Sequence, residues 1–220
     1  MLFFGKKLKV EGAIHTNEAF CKNGVRLEIL KSAKSENITF VFVHFTDSLT
    51  WVKELLNDAE IEYSLIEDAG SLSPAKIAKV VENNKVHIIP AVLLNKANCA
   101  FKTEISKIRK VDFISVELFP LSGLDQMIED YCKALSKNGK LTFHTHLDSI
   151  LLRLFDTNNI KGVLFNLGYK DGDVLSSKML LNSLKRAQKK VSVKVNSNTP
   201  ASCEKEWFEK NTDFLNEATS

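Results

Sequence analysis

The sequence predicts a parallel three-layer α/β sheet followed by a C-terminal helical extension. Apolar runs of strand length, rich in β-branched and aromatic residues, recur from Ile38 onward. Amphipathic stretches of helix length separate them with short connections. Near residue 146 this alternation gives way to apolar residues spaced three and four apart.

ITFVFVHF (38–45) is an uninterrupted apolar run, as expected of a strand covered on both faces. Asp47 or Ser48 then caps a helix running to about Asn57, with Trp51, Leu55 and Leu56 on its inner face. EYSLIE (62–67) is a second strand, and Ser73-Pro74 starts a helix to about Asn84 with proline in the first turn. VHIIPAVLL (86–94) is a third strand in which Pro90 marks a bend or an end. A lysine-rich helix or loop at 101–110 leads to VDFISVELF (111–119), the fourth strand. Ser122 or Gly123 opens the helix within PLSGLDQMIEDYCKAL (120–135), whose inward stripe is Leu124, Met127, Ile128, Tyr131 and Leu135. Gly139 closes that unit before a short strand at 140–144.

The extension begins with LDSILLRLF (147–155) and NIKGVLFNLGY (159–169). A helix over 176–195 carries Leu180, Leu181, Leu184, Ala187 and Val191, and a last helix from about Cys203 to Asn216 buries Trp207, Phe208, Phe214 and Leu215 against the body. MLFFGKKLKV is expected to be a frayed terminus or a docked segment. The expected organisation is an N-terminal segment (1–24), an α/β domain (25–145) and the helical extension (146–220).

Composition narrows the function. With 44% hydrophobic and 26% charged residues among 220, and a net charge of +3, the chain has too little excess positive charge for a nucleic-acid binder. No run reaches the roughly 18 apolar residues of a membrane span, and no leader is expected, so the protein is placed in the cytoplasm. Cys21, Cys99, Cys132 and Cys203 are far apart and form no Cys-x-x-Cys or Cys/His motif. Buried reduced thiols are expected, with neither zinc nor a redox pair, and Cys132 is taken as a core thiol. His144 and His146 have a spacing that places both rings on one strand face, but only Asp148 accompanies them, so no metal is expected. Asp125, Glu129 and Asp130 are read as a solvated acidic helix face.

FHTHLDSILLRLF (143–155) resembles the F-Y-L-S-x-E-D-x-L-M-R-I-F segment of SecA, the preprotein translocase ATPase family, with Leu147, Asp148, Leu151, Arg153 and Phe155 in matching positions. IKGVLFNLGYKDGDVLSSKM (160–179) is similar to the family's next segment. LLNSLKRAQKKV (180–191) is similar to the I-x-x-A-Q-x-K-V start of its long scaffold helix, with Ala187, Gln188, Lys190 and Val191 in step. The strand–helix order of 38–138 has the lengths of the family's second nucleotide-binding domain, a RecA-like fold. The resemblance covers roughly 25–215 and is most specific over 143–191.

The resemblance implies a phosphate loop in a separate first domain, and the sequence contains no G-x-x-x-x-G-K-[ST] string. It also implies arginines lent across the nucleotide cleft, where fixed positive charge stabilises phosphoryl transfer. Laid on the family's Q-x-x-G-R-x-G-R helix, Gln126 matches the glutamine, and Glu129 and Cys132 replace glycines. Asp130 replaces the first arginine and Lys133 the second. Asp130 reverses the charge, and Lys133 lacks the guanidinium fork. The family's G-R-G-T-D segment falls on VLLNKANCA (92–100), which has none of its glycines, arginine or aspartate. The expectation is a degenerate, non-catalytic SecA-like protein with no nucleotide or other cofactor. It would act through a protein partner, a translocase component or a second copy of itself. The alternative is the helicase-like half of a split ATPase, with Lys133, Arg109 or Arg153 as a surrogate arginine finger.

Overall fold

The run at 38–45 forms the strand β2 (Ile38–Val43), and all six of its residues are buried. Its alternation sorts the core: Phe40 and Phe42 pack on one face of the sheet, Val41 and Val43 on the other. The computed structural model describes residues 8–35, 37–99, 110–136, 138–153, 168–176, 178–195 and 197–214, together with 162, 164 and 166. Segments 101–109, including Arg109, and 154–161, including Phe155, lie outside them, as do Leu215 and the side chains of Leu180 and Leu181.

Five further strands join β2: β1 (Lys9–His15), β3 (Tyr63–Leu65), β4 (Val86–Pro90), β5 (Val111–Ser115) and β6 (Lys140–His146). They form one six-stranded sheet in the order β1-β6-β5-β2-β4-β3. Every strand pair is parallel. Pro90 ends β4, as its missing N–H demands.

The helices lie on both faces. α1 (Glu18–Lys34) and α2 (Thr46–Asp58) cover one face through Val25, Ile29, Val52, Leu55 and Leu56. α3 (Pro74–Asn83), the short α4 (Lys96–Cys99) and α5 (Ser122–Leu135) lie on the other, where Ile77, Ile128, Tyr131 and Leu135 meet Phe40, Phe42 and Phe113. α3 starts with Pro74 at its first turn and α5 at Ser122, as the sequence predicts.

Lys9–His15 is a strand of the sheet, and α1 runs unbroken across residues 24 and 25. KVEGAIH concealed this because it is an edge strand, whose first residues remain exposed or half-buried and therefore polar. The N-cap of α2 is Phe45 rather than Asp47 or Ser48, and it makes no side-chain cap bond. Ser48 instead donates its hydroxyl to Glu117, and Val52 takes the inner position while Trp51 is half-buried.

The extension contributes α6 (Ile150–Arg153), α7 (Lys178–Val193) and α8 (Glu204–Asn211). These build a third apolar core over the carboxyl ends of the strands. Leu184, Ala187, Val191, Trp207 and Phe208 meet Phe45, Phe119 and Leu147, which follow β2, β5 and β6. Trp207 packs edge-on against Phe119 at 5.5 Å and donates its indole N–H to Asn198. α8 thus folds back onto the body, as expected, although it ends at Asn211.

Trp207→Ala is expected to cost about 3–5 kcal/mol in urea unfolding, the usual penalty for emptying a buried aromatic site. A loss below about 1 kcal/mol would show that α8 is not part of the cooperative unit.

Candidate functional site

Neighbouring strands β2 and β5 send their connections to opposite faces, β2 into α2 and β5 into α5. Such a divergence opens a crevice at the carboxyl end of a parallel sheet, the usual ligand position in this architecture. A cavity of about 430 Å³ lies there, bounded by the loops that follow β2, β5 and β6. Glu18, Asp47, Glu117, Asp148 and Glu204 face it, against Lys22, Arg153 and Lys205. The lining therefore mixes carboxyl groups with basic side chains.

Backbone amides in these loops are taken by carboxylates of the chain itself. Glu117 accepts from His44 N at 2.8 Å and Phe45 N at 3.2 Å, beside the Ser48 hydroxyl. Asp125 accepts from Phe119 N at 3.3 Å. Glu204 accepts from Ile150 N at 3.0 Å and Leu151 N at 3.1 Å. The Asp47 amide at the start of α2 is given to Ser202 O. Burial pushes the Glu117 carboxyl above its ordinary range, opposed by His44, Ser48 and the two amides. Burial likewise raises Glu204 to about 7, against the two amide bonds and with help from the nearby Glu117 and Glu18 charges.

Asp125 does not belong to a solvated acidic face. It is buried, and Gln188 of α7 donates to both its Oδ2 and the Phe119 carbonyl, at 2.5 and 2.7 Å. His44 Nε2 lies 2.9 Å from Asp125 Oδ1, an ion-pair distance without hydrogen-bond alignment. Of the residues in step with the scaffold helix, Ala187, Gln188 and Val191 are buried and help Leu184 to seat α7 on the sheet, whereas Lys190 is exposed. Gln126, Asp130 and Lys133 sit outside the crevice network. Gln126 donates to Asp130, while Lys133 pairs with Glu129 at 2.7 Å and Asp130 at 3.5 Å. The Glu129 hydrogen bond raises Lys133, so its charge is retained but already engaged. Glu129 also pairs with Lys185.

Cys132 is a core thiol, raised well above its ordinary value by burial. A second correction concerns Cys21 and the histidines. The H-x-H pair does not act together: His146 lines the cavity, whereas His144 turns to His15 and Glu28. Cys21 joins them, so a Cys/His cluster exists in space where the sequence shows none.

The crevice, the all-parallel sheet and the helices on both faces define a doubly wound α/β domain. In sequence the chain is SecA-like. It is 28% identical to the protein translocase subunit SecA of Sulfurimonas denitrificans over 196 residues, 81% of this chain and 23% of that protein. It is also 28% identical to SecA of Porphyromonas gingivalis over 115 residues, 52% of this chain and 10% of that one. The same identity to Helicobacter pylori SecA extends over 130 residues, 59% of this chain and 14% of the relative. The chain thus spans less than a quarter of the length of these relatives. No family model matches the chain. The C-terminal part of the Fun30 ATPase domain overlays it with a TM-score of 0.43 and 14% identity, over 80% of this chain and 56% of that one. Among the described residues, no helix is long and apolar enough to cross a membrane.

Glu204 gives the crevice a pH signature. Its value in the folded state, about 7, lies above the ordinary 4.5, so the folded chain binds this proton first. Its stabilising contribution is full below the ordinary value and is lost as pH rises through about 7. Glu204→Gln is therefore expected to flatten the fall in urea midpoint over that interval, and identical slopes for both chains would contradict the assignment.

Proposed function

We propose that this is a non-catalytic SecA-like protein that works by binding other proteins, as a cytoplasmic accessory of protein translocation. One observation carries the reading: the strand-end amides are taken by the chain's own carboxylates, beneath the C-terminal helices. A phosphate would have to displace Glu117 or Glu204 to gain amide donors. The charge reversal at Asp130 and the engagement of Lys133 by Glu129 support the same conclusion for the outer helix. The partner class follows from the relatives, which are translocase subunits by name, so a translocase component is the proposed partner. The modest net charge does not favour nucleic acid.

One feature favours the split-motor alternative: Arg153 lines the cavity. On that reading Arg153, rather than Lys133, is the surrogate finger, and Arg153→Ala would abolish any stimulation of a partner's ATPase.

Isothermal titration of the chain with Mg·ATP and Mg·ADP tests the main proposal. No binding heat is expected with millimolar nucleotide. A dissociation constant in the micromolar range for either nucleotide would overturn it.

A further inference from the structure

The cluster beside the cavity leads beyond the protein-binding reading. His15 at the end of β1, Cys21 in the first turn of α1 and His144 in β6 are all buried, and their ligand atoms lie within 4.8 Å of one another. We propose that these three residues form a binding site for a divalent metal of zinc type, with Glu28 as the positioning residue behind His144.

The donor set is one sulfur and two imidazole nitrogens, the combination that suits zinc. His15 Nε2 and His144 Nδ1 are 3.2 Å apart, close to the nitrogen–nitrogen edge of about 3.3 Å implied by metal–nitrogen bonds of about 2.0 Å in a tetrahedron. Without metal that distance holds a hydrogen bond between the rings; on binding, the shared proton would move to Nδ1 of His15 and the Cys21 thiol proton would be released to solvent, leaving a thiolate and two neutral imidazoles as ligands. The opposite nitrogen of His144 meets Glu28 Oε2 at 2.9 Å. A carboxylate on the far nitrogen fixes the tautomer that leaves Nδ1 free to coordinate. Glu28 is itself fixed by Thr142 at 2.8 Å and Lys140 at 3.3 Å.

The local sequence also makes room for the cluster. Gly24 lies in the interior of α1, where glycine costs about 1 kcal/mol relative to alanine. A Cβ there would stand 2.2 Å from Cε1 of His15. The ring therefore occupies the space that glycine leaves. Cys21 also lines the cavity, which offers a fourth ligand such as water a route to the metal. Bound metal would tie the edge strand β1 and α1 to β6.

The test uses the full chain, stripped with chelator and titrated anaerobically with Co(II) alone and then Zn(II) alone. One equivalent of Co(II) is expected to give a thiolate-to-cobalt charge-transfer band with visible absorption of tetrahedral intensity, and Zn(II) is expected to abolish both. Cys21→Ser should lose the charge-transfer band while circular dichroism remains that of the wild type. Glu28→Gln should keep the band but weaken Zn(II) binding about 10- to 100-fold. Absence of the band in the wild type would overturn the proposal. So would Zn(II) stoichiometry and affinity that are the same in Cys21→Ser and His15→Gln as in the wild type, which would place the ion on other side chains. Should His15→Gln fail to fold, Cys21→Ser decides alone.

Discussion

Carboxylates hold down the carboxyl edge of this sheet. A parallel sheet delivers all its strand ends to one side, where the loops expose amides that must find acceptors. Here Glu117 serves the loop after β2, Asp125 the loop after β5 and Glu204 the segment after β6. Each acceptor comes from a different part of the chain, so the bonds also tie the loops together. Asp125 extends the network to Gln188, and Glu204 brings in the start of α8. The apolar core of Phe45, Phe119, Trp207 and Phe208 is assembled over this polar floor. Without the carboxylates the C-terminal helices would lie on buried amides lacking acceptors, each costing about 1–3 kcal/mol.

The same separation of roles appears within α5. The inward stripe of α5 keeps Ile128, Tyr131 and Leu135 in the main core. Its outward positions interact locally, through Gln126 with Asp130 and Lys133 with Glu129. Packing and charge lie on different faces of one helix, so one can change without disturbing the other. The histidine cluster is likewise separate from this helix, built between β1, α1 and β6.

The parallel α/β class was legible in the sequence because strands buried on both faces leave continuous apolar runs, as in ITFVFV. Helix starts were legible where local chemistry dictates them, as at Ser73-Pro74. β1 was not, because an edge strand alternates weakly and Lys9 remains exposed. The polar network was hidden for another reason. Glu117 and His44 lie 73 residues apart, and Glu204 and Ile150 lie 54 apart, so no spacing rule links them. Asp125 looked solvated because helical periodicity shows which residues share a face, not that α7 covers part of that face through Gln188. His15, Cys21 and His144 share no motif, since they converge only when β1 pairs with β6. The SecA-like segment 180–191 was informative beyond its likeness: Ala187, Gln188 and Val191 help to seat α7.

On the proposed reading, the chain's own carboxylates hold the strand-end amides away from phosphate. Amide hydrogen exchange followed by NMR at His44, Phe45, Ile150 and Leu151 is the test. These amides are expected to exchange slowly, within the range of β2 and β5, and to be unaffected by millimolar Mg·ATP. Rapid exchange at these positions, or protection that appears only when nucleotide is added, would contradict the account.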